Sequence, residues 1–114
     1  MSRLYEMQVN IEEYNKDREW EIQEAANDAW NFGDDWYTGN DYMSAHGQAN
    51  LCGGEGEDEF ARRLANEIWK ANGGYCKVEV VATYLEDLPF ERYELGEEDY
   101  NKVKDILKIG ENNG

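Results

Sequence analysis

The stretch Tyr42–Leu51 alternates without a break. Met43, Ala45, Gly47, Ala49 and Leu51 fall at one parity; Tyr42, Ser44, His46, Gln48 and Asn50 fall at the other. Side chains of a strand point to opposite faces in turn, so the pattern predicts a β-strand with one buried and one open face. A slip of one residue would bury the polar set, which ties the register to the core. The apolar set is small-sided, so another part of the chain must pack close against it. Leu4–Ile11 repeats the pattern, with Tyr5, Met7, Val9 and Ile11 set against Glu6, Gln8 and Asn10.

Between these strands the period changes. From Glu13 to Trp30, the residues Ile22, Ala25, Ala26, Ala29 and Trp30 share one helical face, and Trp20 points the opposite way. Trp36 and Tyr37 suggest a short strand before the turn signal Thr38-Gly39-Asn40-Asp41, hence a hairpin with the strand that follows. A second helix is predicted from Glu57 to Asn72, with Phe60, Ala61, Leu64, Ala65, Ile68 and Ala71 inward and Gly73 as its C-terminal stop. Tyr75–Leu85 reads as a strand rich in β-branched residues, ended by Pro89, the only proline. Phe90–Leu95 is a short strand or an ordered loop, with Leu88, Phe90 and Tyr93 as candidate pins to the core. Glu97–Lys108 is a last helix.

Every long strand has one polar face, so both main helices should cover the same side of an antiparallel sheet. The expected fold is α+β: a ferredoxin-like β-α-β-β-α-β sandwich, helices on one face, plus a C-terminal helix. Residues 1–109 form one domain and 110–114 a disordered tail.

Charge bears on partners rather than on fold. The chain carries 26 acidic and 11 basic residues, a net charge of −15. Nucleic acids and anionic membranes both attract cations, so neither is expected as a direct partner. Four Trp and eight Tyr set the chain apart from acidic disordered sequences. No apolar run is long enough to cross a membrane, and the start of the chain lacks the apolar core of a signal peptide. Two cysteines do not make a secreted disulfide framework, so a cytoplasmic location is expected.

The motifs that carry chemistry are few. His46 is the sole histidine, on the polar face beside Glu6 and Gln8, without a nucleophile motif. Cys52 and Cys76 would sit at opposite ends of parallel strands, too far apart to bridge, so free thiols are expected. The acidic segment Asp34–Asp41 fails the EF-hand template at its third, fifth and twelfth positions. Gly53-Gly54-Glu55-Gly56 lies where phosphate loops lie but leads into Glu57-Asp58-Glu59, which repels phosphate. The polar sheet face lacks the aromatic and basic run of an RNA-recognition domain. No catalytic residue, metal site or cofactor is therefore expected.

The runs Leu51-Cys52-Gly53-Gly54-Glu55, Glu59-Phe60-Ala61-Arg62-Arg63-Leu64, Ile68-Trp69-Lys70-Ala71-Asn72-Gly73 and Ala82-Thr83-Tyr84-Leu85-Glu86-Asp87-Leu88-Pro89 carry a likeness over Leu51–Tyr100. In residue pattern this part resembles small acidic proteins of unknown function from bacterial phages and mobile elements. The resemblance implies a bacterial host and an accessory role through protein contact, and it assigns no site.

The sequence thus points to a non-enzymatic accessory protein that docks an acidic surface onto a basic protein, with mimicry of nucleic-acid charge as one route. The alternative is a small-molecule or metal-binding domain using the open sheet face around His46; a homodimer is a further possibility. Candidate partner-binding residues are Trp20, Asp34, Asp35, Trp36, Tyr42, His46, Trp69, Glu86 and Asp87. Trp20, flanked by Asp17, Glu19, Glu21 and Glu24, is the candidate anchor, whereas Trp69 could instead be covered by the C-terminal helix or the Leu88–Tyr93 segment.

Overall fold

The computed structural model describes residues 3–33, 36–51, 54–85 and 90–107. The elements run β1 (Arg3–Glu12), a 3-10 turn (Lys16–Arg18), α1 (Glu19–Ala29), β2 (Tyr37–Thr38), β3 (Tyr42–Leu51), α2 (Glu57–Asn72), β4 (Lys77–Tyr84), β5 (Phe90–Leu95) and α3 (Glu97–Leu107). The fold is α+β: a five-stranded antiparallel sheet in the order β2-β3-β1-β4-β5, with three α-helices among the described residues.

β1 is the central strand and carries the longest alternation against two neighbours. It pairs Val9 with Ala45 on one side and with Val80 on the other. Tyr5, Met7, Val9, Ile11, Met43, Ala45, Leu51, Val78, Val80 and Ala82 all point into one core. Ile22 and Ala26 of α1 and Phe60, Leu64, Ala65 and Ile68 of α2 close that core from the same side. The other parity faces away from the core, with Gln8, His46 and Gln48 exposed and Glu6, Asn10, Tyr42 and Ser44 half-buried. The expected register therefore holds across β1, β3 and β4.

Gly47 is the close-packed position that the small-sided face required. A Cβ there would lie 2.0 Å from the carbonyl oxygen of Asn31, which follows α1. The indole nitrogen of Trp30 donates to the Gly47 carbonyl at 2.9 Å, tying the end of α1 to β3. Gly73 ends α2 with φ +83, the left-handed conformation that glycine adopts without steric cost.

Several expectations need correction. α1 starts at Glu19, not at Glu13, because β1 runs to Glu12 and Glu13 turns the chain with φ 62. Asn15 then accepts from the Asp17 backbone, while its own N–H donates to the Asn72 side chain at 2.7 Å. This polar corner holds the chain out of the helix until Glu19. Of the two readings of Phe90–Leu95 the strand holds, but Phe90 is 61% exposed rather than pinned to the core, and Leu88 lies outside the described residues. Pairing of Phe90 with Thr83 puts its side chain on the open face. The expectation of a disordered tail at 110–114 falls outside the described residues.

Candidate functional site

The open sheet face is tied together by a hydrogen-bonded ladder. Tyr42 Oη donates to Asn10 Oδ1 at 3.1 Å, and Gln8 Nε2 donates to the same oxygen at 3.1 Å. Asn10 Nδ2 donates to Glu79 Oε1 at 2.7 Å, and Arg92 Nε lies 3.3 Å from the other oxygen of Glu79. The chain of contacts crosses β3, β1, β4 and β5. His46 stands beside it, its Nδ1 3.3 Å from Glu6 Oε2 and its side chain 71% exposed. Glu6 thus stands beside the imidazole, as the alternation suggested, but in open solvent. Tyr42 and His46 share this face, and no other candidate among the described residues joins them.

An open cavity of about 590 Å³ lies toward one edge of the face, between β4, β5 and the start of α3. Glu12, Glu79, Glu94, Glu97 and Asp99 line it with Lys77, and His46 does not. No group of three or more metal-ligating side chains is assembled among the described residues.

The outer face of α1 differs from the rest of the helical layer. Trp20 is 65% exposed, as its position opposite Ile22 requires. Glu24 and Asp28 follow at successive turns, with Glu21 alongside, and all three are exposed. α1 contains no basic residue, and none of these acids enters an ion pair among the described residues. On α2, by contrast, Asp58 is paired with Arg62 at 3.6 Å and Glu67 with Lys70 at 3.9 Å. Glu55, just before α2, meets Arg63 at 2.9 Å.

Trp69 must be removed from the candidates. It is 1% exposed, and its indole nitrogen donates to the Cys76 carbonyl at 2.8 Å. Tyr100 of α3 packs edge-on against it at 5.3 Å, so the C-terminal helix covers the position that α2 alone would leave at the core edge. Trp36 is half-buried, with its ring 5.8 Å from Phe32 and its buried indole nitrogen without a partner among the described residues. Asp34, Asp35, Glu86 and Asp87 lie outside the described residues, as does Cys52. Cys76 is a free, fully buried thiol, and burial pushes its pKa up to about 12.

Two polar centres escape a reading by periodicity. Glu57, the first residue of α2, accepts from Tyr5 Oη and from Tyr93 Oη, the latter at 2.9 Å. Burial first, and the Glu57 contact second, push the Tyr93 phenol up to about 12. The inward parity of Tyr5 was a signal for this cluster; the arrival of Tyr93 from β5 was not visible. Asn72 is 8% exposed, and its Nδ2 donates to the carbonyls of Gly74 and Tyr75 at 3.0 and 3.3 Å. Its side chain thereby satisfies the loop after α2 and the turn before α1 together.

Against protein-family models, curated proteins and solved structures, the chain finds no match.

Proposed function

We propose that the chain is a non-enzymatic binding protein that docks an acidic helical surface onto a basic protein partner. The observation that carries this reading is α1, with Trp20 65% exposed beside Glu21, Glu24 and Asp28, acids without an ion pair among the described residues. Exposed surface ion pairs contribute little to stability, so unpaired acids on a helix cost little to keep and remain available to an incoming cation. Trp20 supplies both apolar area and a π-face on which an arginine can stack. The net charge of −15 steers a basic partner toward the molecule over distances set by the ionic strength.

The test is affinity capture from a bacterial lysate at low and high salt, using wild type and Trp20→Ala. A basic protein retained by wild type at low salt, and lost both at high salt and on Trp20→Ala, supports the reading. Trp20→Ala should weaken that complex by more than about 1 kcal/mol and leave thermal stability nearly unchanged. Capture indifferent to salt and to Trp20 refutes it.

We further propose that the first six elements, β1-α1-β2-β3-α2-β4, are a ferredoxin-like unit to which β5 and α3 are added. The position of β1 between β3 and β4, with β2 outside β3, supports this reading.

A further inference from the structure

We infer that β5 is a self-association edge, at which two copies of the chain join through antiparallel β5–β5 pairing into one continuous sheet. β5 is the outermost strand, six residues long, and its register against β4 runs from Phe90 to Leu95 without a bulge. Alternate residues turn N–H and C=O away from β4, and none of these groups meets another backbone group among the described residues. The opposite edge is guarded: β2 covers the start of β3, and Trp30 occupies the Gly47 carbonyl.

The charge pattern selects a second copy as the occupant. Residues opposed across an antiparallel pair place their side chains on the same face, so a two-fold axis through the sheet can oppose only residues of like parity. With the axis at Tyr93, Arg92 faces Glu94 of the second copy, and symmetry repeats the pair. An axis at Arg92 would oppose arginine to arginine, and one at Glu94 would oppose glutamate to glutamate.

Among the described residues, no cation lies directly opposite Glu94 within its own chain. Glu94 lies directly opposite Glu79 on β4, a like-charge pairing, and makes no ion pair among the described residues. Arg92 already contacts Glu79, yet its side chain is 57% exposed and has donors to spare. On the other face, Glu91 would meet Leu95 of the second copy. The net charge of −15 on each copy opposes association, but a screening length of about 8 Å at physiological salt leaves the facing pairs to decide the register.

Charge exchange at the edge provides the test. The full chain is examined by sedimentation equilibrium up to about 0.5 mM at physiological salt, with the fold of each variant checked by circular dichroism. Wild type is expected to show a monomer–dimer equilibrium. Arg92→Glu and Glu94→Arg should each weaken it by about tenfold or more, and the double exchange should return it to within about threefold of wild type. Glu94→Arg is the sharper case, because it makes the chain less acidic and should still weaken the dimer. In wild type, amide exchange of β5 should also slow as protein concentration rises. A wild type monomeric throughout, a Glu94→Arg variant that associates more tightly, or a double exchange that fails to recover would each overturn the inference.

Discussion

Gly47→Ala tests whether the contact between β3 and the end of α1 holds the two layers together. The added Cβ would stand 2.0 Å from Asn31 O, 2.9 Å from Asn31 C and 3.2 Å from Phe32 Cα. A carbon and a carbonyl oxygen approach no closer than about 3.3 Å even in favourable contacts, so the backbone near Asn31 must retreat by more than about 1 Å. That backbone is held by neighbours on both sides. Trp30 is 7% exposed and Phe32 4%, and Trp30 packs edge-on against Phe60 at 5.0 Å. Retreat also stretches the 2.9 Å bond from Trp30 to the Gly47 carbonyl. Overpacking costs roughly 1–3 kcal/mol and the hydrogen bond about 1 kcal/mol, together about 2–4 kcal/mol. For a chain of this size that is a fall in Tm of roughly 10 °C. Urea and thermal unfolding followed by circular dichroism measure it, with Gly74→Ala as the control. Nothing lies within 4 Å of a Cβ at Gly74, so that variant should stay within about 0.5 kcal/mol of wild type. Trp30→Phe removes the same hydrogen bond without adding a Cβ, and the double variant should lose less than the sum of the two. An unchanged unfolding midpoint for Gly47→Ala would refute the close-packing argument.

Cys76 should resist alkylation in the folded protein, because burial pushes its thiol up to about 12 and leaves about one part in ten thousand as thiolate at pH 8. Peptide mass spectrometry should find it modified quickly in urea and slowly without; equal rates would contradict its placement in the core. In alkali, Tyr93 should weaken the fold. Its pKa rises from 10.0 to about 12 on folding, so its contribution is complete below pH 10 and is lost as pH climbs toward 12. Urea midpoints measured across that interval should fall less steeply for Tyr93→Phe than for wild type, while phenolate absorbance follows the ionisation.

The alternation of β1, β3 and β4 and the apolar stripe of α2 were legible in the sequence, and with them the α+β class, the single core and the open face bearing Tyr42 and His46. Trp20 was legible too, because a helix that buries Ile22 and Ala26 must turn residue 20 away. These are consequences of local geometry: a fixed rotation per residue assigns each side chain a face before any partner is known. The fate of Trp69 was not of this kind. Its burial depends on Tyr100, which arrives from another helix. Phe90 lies outward because of its register against Thr83, and Glu57 is engaged because β1 and β5 each bring a tyrosine to it. Asn72 joins two loops that no spacing relates, and one of them delays the start of α1. Tertiary structure alone settles such positions, because what covers a side chain or satisfies a polar atom is supplied by segments distant in sequence, whose approach leaves no periodic mark on the residues they meet.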